Sequence, residues 1–219
     1  MKYSKIAYSV FFFLLLPLRL SAQWSVGLSA GVDKNFYSID NQANWRYSPK
    51  PGFCVGVFGQ YAIKDWLGLR AELNLMTKNQ THQNVLFASG VNNSVNGKII
   101  TENYYFQLPV LLSPQLCFWK KVKLFANLGV YGGYWAFSNY GFIEAIPYSY
   151  NELSGNSQRI DYGLIGGVGL EYCFIKHLAC QVEARSYYST NSFIKNESHI
   201  KSNLYNTTNV FQMAFCYYF

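Results

Sequence analysis

The stretch Thr208-Asn209-Val210-Phe211-Gln212-Met213-Ala214-Phe215-Cys216-Tyr217-Tyr218-Phe219 decides how the rest of the chain is read. Taking every second residue puts Phe211, Met213, Phe215, Tyr217 and Phe219 on one face, with Val210, Gln212, Ala214, Cys216 and Tyr218 on the other. Period-two alternation marks a β-strand. One face of this strand is wholly apolar or aromatic.

The same period recurs upstream. Leu67, Leu69, Ala71, Leu73 and Leu75 alternate with Gly68, Arg70, Glu72 and Asn74. Tyr162, Leu164, Gly166, Val168, Leu170 and Tyr172 alternate with Asp161, Gly163, Ile165, Gly167, Gly169 and Glu171, and Leu178, Cys180, Val182 and Ala184 with Gln181, Glu183 and Arg185. Charges of both signs share the face opposite the apolar one. Eight segments of this kind are predicted, near Trp24 to Asp33, Gly52 to Ile63, Trp66 to Lys78, Asn103 to Ser113, Val122 to Phe137, Ile160 to Phe174, His177 to Thr190 and Thr208 to Phe219. Their lengths suit tilted transmembrane strands.

The connections alternate in length. Lys64-Asp65, Pro114 to Lys121 and Ile175-Lys176 are short, whereas 34 to 51, 79 to 102, 138 to 159 and 191 to 207 are long and rich in Asn, Ser and Tyr. Outer-membrane barrels have short periplasmic turns, long external loops and, with an even strand number, both termini on the periplasmic side. The fold expected is therefore all-β, an eight-stranded antiparallel up-and-down transmembrane β-barrel spanning 23–219 and preceded by a cleaved signal peptide over 1–22.

That leader is read from Lys2 and Lys5, the apolar run Ile6 to Leu16, and the small residues Ser21-Ala22 before Gln23. The run is too short to span a ~30 Å hydrocarbon core. Composition agrees with a barrel: of 219 residues 50% are hydrophobic and 19% aromatic, but only 13% are charged, about half the ~25% usual in soluble domains. This excludes intrinsic disorder. Without Lys2, Lys5 and Arg19, the formal charge of +7 falls to +4, and the remaining cations are scattered, Lys120-Lys121-Lys123 being the densest group. Nucleic acid is not an expected partner.

Alternation alone leaves open a soluble, lipocalin-like ligand-binding barrel, in which the charged face would meet water. Three features favour the membrane. Aromatics gather at strand ends, with Trp24, Tyr61, Trp66, Trp119, Tyr172, Tyr217 and Phe219 at the periplasmic side and Tyr104, Trp135, Tyr187 and Tyr188 at the other, as in interfacial girdles. The polar face mixes Gly with charges of both signs, which suits a narrow lumen. The chain also ends on aromatics, and Phe215, Tyr217 and Phe219 are expected to signal assembly to the barrel insertion machinery.

These residues resemble the PorT-like outer-membrane β-barrel family over nearly the whole mature chain. The resemblance rests on Gly27-Leu28-Ser29-Ala30-Gly31, Pro51-Gly52-Phe53, Tyr105 to Leu112, Asp161 to Tyr172 and Glu183-Ala184-Arg185-Ser186-Tyr187. It implies a membrane barrel. Some members are linked to type IX secretion, but nothing in this chain marks that subgroup, and the role is not carried over.

Candidate chemistry is thin. The glycines from Gly163 to Gly169 lie inside a strand and precede no helix, so they read as lumen positions with little bulk, making room for Tyr131 and Trp135, rather than as a phosphate loop. Arg70, Glu72, Glu171, Glu183 and Arg185 are expected to converge in the lumen as an ion-paired plug rather than a gated pathway, since eight strands leave room only for side chains. An outer-leaflet lipid-modifying enzyme would need His beside Ser at the outer rim; Glu197-Ser198-His199 has the residue types, but neighbours on one loop rarely form a triad. The odd set Cys54, Cys117, Cys173, Cys180 and Cys216 reads as free, strand-buried thiols. Asn-x-Ser/Thr sites at Asn79, Asn92, Asn196 and Asn206 read as loop composition. No catalytic, cofactor-binding or metal-ligating residue is assigned. The expectation is a non-enzymatic barrel whose partners are outer-membrane lipid, the insertion machinery and an extracellular ligand or surface.

Overall fold

The computed structural model describes residues 23–39, 47–89, 93–143, 159–191 and 204–219. Among them run β1 (Trp24–Ile39), β2 (Tyr47–Pro49), β3 (Pro51–Lys64), β4 (Leu67–Ser89), β5 (Asn93–Trp119), β6 (Val122–Ile143), β7 (Ile160–Ile175), β8 (Leu178–Ser189) and β9 (Leu204–Tyr218). All are antiparallel to their neighbours. The eight long strands close on themselves, because β1 pairs with both β3 and β9 and β4 pairs with both β3 and β5. The three-residue β2 lies outside this circuit, against β4. The leader expected over 1–22 lies outside the described residues.

The register fixes the geometry of closure. From Lys34 on β1, paired residues lead through Asn209, Ser186, Gly166, Leu128, Leu112, Leu69 and Tyr61 back to β1 at Trp24. The circuit returns ten residues from where it began. This shear tilts the strands across the wall by roughly 35–45° and holds the interior to a width that side chains fill.

The alternation read from the sequence sets the two faces. Leu28, Leu108, Val168 and Phe215 are more than 60% exposed on the outside, while Arg70, Glu72 and Arg185 are 5% exposed or less inside. A soluble barrel would have the opposite arrangement. Among the described residues no helix is long and apolar enough to cross a membrane, and the crossing is made by strands.

Several sequence expectations are corrected. Pro114 to Lys121 is not a loop, because β5 continues to Trp119 and the turn is Lys120-Lys121. Proline lacks an N–H, and the β5–β6 pairing skips Ser113 and Pro114, resuming at Gln115↔Phe125. The other two turns, Asp65-Trp66 and Lys176-His177, each lie one residue further on than expected. Much of 79 to 102 is also strand. The β4–β5 ladder continues to Ser89↔Asn93, carried by β-favouring Thr81, Val85, Val95, Ile99 and Ile100 among the polar residues. Likewise β1 runs to Ile39, β6 to Ile143, and β9 starts at Leu204.

The aromatic girdles also need revision. Trp24, Trp66, Trp119, Tyr172, Tyr217 and Phe219 do face outward at the periplasmic rim. At the other rim Trp135 and Tyr187 point into the lumen and are buried, since they share the inward parity of Asn127 and Arg185. The outward aromatics there include Phe36, Phe53, Tyr134, Phe137, Tyr162 and Tyr188, with Tyr104 stacked on Phe137 at 4.4 Å. All five cysteines are free, but only Cys54 and Cys216 are buried; Cys117 faces outward and Cys173 and Cys180 are half-buried. The lumen glycines make room for other residues than expected. A side chain at Gly169 would meet the Phe125 ring, at Gly167 the Glu183 carboxylate, and at Gly163 the Tyr188 backbone.

Candidate functional site

The lumen is built in three storeys, each visible as an ordered run of inward side chains along single strands. From the periplasmic end, β4 presents Arg70, Glu72 and Asn74, then Met76, then Lys78, and β8 presents Gln181, Glu183 and Arg185, then Tyr187, then Ser189. The pleat sends alternate residues inward. Neighbouring strands then bring like layers to one height.

The lower storey joins the five residues singled out from the sequence. Arg185 donates Nη1 to Glu72 at 2.6 Å and Nη2 to the other Glu72 oxygen at 2.9 Å. It also donates Nε and Nη2 to the two Glu183 oxygens, both at 2.8 Å. One guanidinium therefore grips two carboxylates in fork geometry. Arg70 donates Nε to Glu72 at 2.6 Å and lies 3.5 Å from the Phe58 ring centroid. Gly27 leaves the space that this ring fills.

Glu171 is joined through a residue the sequence reading left out. Arg70 Nη1 donates to Gln181 Oε1 at 2.8 Å, and Gln181 Nε2 donates to Glu171 at 2.7 Å. Tyr218 and Lys123 complete that carboxylate at 2.6 and 3.0 Å. Asn74 donates to Glu72, and Asn127 and Gln212 donate to Glu183, at 2.9 to 3.1 Å. Ser113 in turn bonds Asn127. Three cations, Arg70, Lys123 and Arg185, balance Glu72, Glu171 and Glu183. Paired and hydrogen-bonded charge of this kind avoids the cost of isolated burial.

Above it lies an apolar layer of Cys54, Met76, Leu111, Tyr131, Ile165, Tyr187 and Val210. Above that is a second polar storey, also missing from the sequence reading although Lys78 and Asp161 have the inward parity. Lys78 pairs with Asp161 at 2.5 Å, Ser189 donates to the same carboxylate at 2.6 Å, and Lys78 lies 4.8 Å from the Tyr105 ring centroid. Trp135 donates Nε1 to Ser138 at 2.8 Å, and Ser138 donates to Asn103 at 2.6 Å. Both carboxylate oxygens of Asp33, and both polar atoms of Gln107, are buried without a hydrogen-bond partner.

The arrangement can seal a lumen with paired charges and apolar side chains. Among the described residues no group of three His, Cys, Asp or Glu side chains could hold a metal ion. Glu197, Ser198 and His199 lie outside the described residues. His177 sits at a periplasmic turn with Nδ1 2.8 Å from the Tyr218 carbonyl oxygen. At the C-terminus Phe215, Tyr217 and Phe219 all face outward, with Tyr217 and Phe219 edge to face at 5.2 Å.

Residues 19–195 match the family described as outer membrane protein beta-barrel domain. No curated protein matches the chain. Among solved structures, the chain is similar to the outer membrane protein OprG from Pseudomonas aeruginosa, with 15% identity, 90% of this chain and 96% of that chain covered, and a TM-score of 0.53. Neisserial surface protein A matches at 12% identity, covering 91% and 98%, with a TM-score of 0.49.

Proposed function

The chain belongs to the outer membrane protein beta-barrel domain family and is a protein of the bacterial outer membrane, and from that premise we propose that it is a non-enzymatic, non-conducting barrel that displays an extended β-sheet for recognition outside the cell. The observation that carries this reading is the unequal height of the wall. Past the outer aromatics, β4 runs on from Lys78 to Ser89, roughly 40 Å along the strand at ~3.3 Å per residue. β5 pairs with it to Ser89↔Asn93 across one register shift between His82 and Val85, β6 continues beside β5 to Ile143, and β2 flanks β4 at Gln80 to His82. On the opposite wall β8 stops at Ser189 and β7 starts only at Ile160.

The lumen supports the non-conducting part. The apolar layer separates two polar storeys, and apolar constrictions oppose conduction by dewetting. The motifs Gly27 to Gly31, Tyr105 to Leu112 and Asp161 to Tyr172 support a place among PorT-like barrels, without a role in secretion. Outer-membrane lipid on the apolar wall, the insertion machinery at Phe215, Tyr217 and Phe219, and an external surface partner are the interactions of this reading.

Cells displaying the protein, and cells displaying a variant with 82–99 replaced by a two-residue turn, are compared for retention on arrays of surface proteins and polysaccharides. Retention by the first and loss by the second, with the heat-dependent gel shift of the barrel intact, is expected. Equal retention overturns the recognition role, and lipid turnover by the purified protein overturns the non-enzymatic one. Deletion of Phe219 is expected to lower the amount of assembled barrel; unchanged levels reject the terminal signal.

A further inference from the structure

Three polar residues face outward side by side on the wall of the barrel. Lys34 on β1, Asn209 on β9 and Ser186 on β8 point outward at directly paired positions, Lys34↔Asn209 and Asn209↔Ser186. The next outward residues toward the cell exterior are Phe36 on β1 and Tyr188 on β8, both exposed aromatics, with Thr207 of β9 paired between them. The polar trio therefore lies on the membrane side of Phe36 and Tyr188. On the other side of it come Val32, Phe211 and Ala184, and the three strands share a depression of about 480 Å³ that also reaches Pro51.

Its chemistry is one-sided. Ser186 Oγ donates to Asn209 Oδ1 at 2.7 Å, which occupies the amide oxygen and leaves the amide N–H groups to donate outward. Lys34 has no carboxylate partner among the described residues; its ammonium lies 5.7 Å from the Phe36 ring centroid. What the notch offers an occupant is thus one cation and amide donors, above an apolar floor. An ammonium and amide set among apolar side chains costs free energy unless an anion or water meets it.

We propose that Lys34, Asn209 and Ser186 bind the phosphate-bearing head of an anionic outer-leaflet lipid, whose acyl chain lies along Val32, Ala184 and Phe211. The short side chains of Ala184 and Ser186 provide the recess. Asn209 and Lys34 donate to phosphate oxygens, and Ser186 orients the amide.

The test is competitive retention. The full-length protein in detergent is given equal phosphatidylglycerol and phosphatidylcholine, and the lipid that stays bound is read by native mass spectrometry. Preference for phosphatidylglycerol of about tenfold, the size of one charge-assisted contact, is expected, falling to near parity in Lys34→Gln/Asn209→Leu and partway in Lys34→Gln alone. Lys64→Gln, which removes a lysine beside Trp66 at the periplasmic rim, is expected to keep the preference. The heat-dependent gel shift reports that each variant is folded. No preference in the parent protein, full preference in the double variant, or equal loss in Lys64→Gln overturns the site.

Discussion

The two polar storeys of the lumen are built from the same residue types and yet differ in completeness. In the lower one every carboxylate has several donors: Glu72 takes Arg70, Arg185 and Asn74, Glu183 takes Arg185, Asn127 and Gln212, and Glu171 takes Lys123, Gln181 and Tyr218. Its cations and anions balance. The upper one has Lys78 for two carboxylates, Asp161 and Asp33, and only Asp161 is engaged. Its spare polar atoms include those of Asp33, Asn35, Gln80 and Gln107, whereas the lower storey leaves only Arg70 Nη2 and Asn74 Oδ1. The Met76 and Tyr187 layer keeps the two apart. Closed pairing rigidifies the lower storey, whereas the upper one holds buried polar atoms without partners.

On this contrast, removing the hub of the lower storey has the largest effect. Arg185→Ala leaves Glu183 without a cation and Glu72 with Arg70 alone, so two neighbouring buried carboxylates lose the group that joins them. The expected loss is about 3–5 kcal/mol, read as a lower midpoint of denaturant unfolding in detergent micelles. A midpoint like that of the parent protein would show that the fork geometry contributes nothing. Lys78→Met should cost less, about 1–3 kcal/mol, because Ser189 and Tyr131 still donate to Asp161. Should Lys78→Met prove the more damaging of the two, the ranking of the storeys is reversed.

How much of this was legible depends on what sets each feature. Facing is set by the pleat alone, so alternation placed Arg70, Glu72, Glu171, Glu183 and Arg185 on one side of the wall, and the same parity extends to Lys78 and Asp161. The bridge through Gln181 was not legible. It depends on Arg70 and Glu171 lying on strands that meet only after closure, and a neutral amide gives no charge signal. Tyr187 and Trp135 were placed at the rim because they are aromatics near strand ends; parity with Arg185 and Asn127 was the better guide. Strand ends failed where composition and ladder disagree. Asn, Ser and Gly between 79 and 102 suggested a loop, but two strands that already pair at Thr77↔Tyr104 continue their ladder at little further cost in chain entropy.

Asp33 makes the finest test, because the expected effect is small and its sign is the information. Gly52 lies directly across from it on β3, with no side chain to approach the carboxylate, and Thr77 Oγ1, which borders the same space, is engaged with the Phe53 backbone. A buried carboxylate without donors is an expense to the fold. Asp33→Asn keeps the shape and removes the charge, so stability should stay equal or rise by about 1 kcal/mol. The same change at Glu183, where three residues make four hydrogen bonds, should lower it. Measured side by side, the two substitutions ask one question of each storey, and a loss at Asp33 as large as at Glu183 would mean that the upper carboxylate is held as firmly as the lower ones.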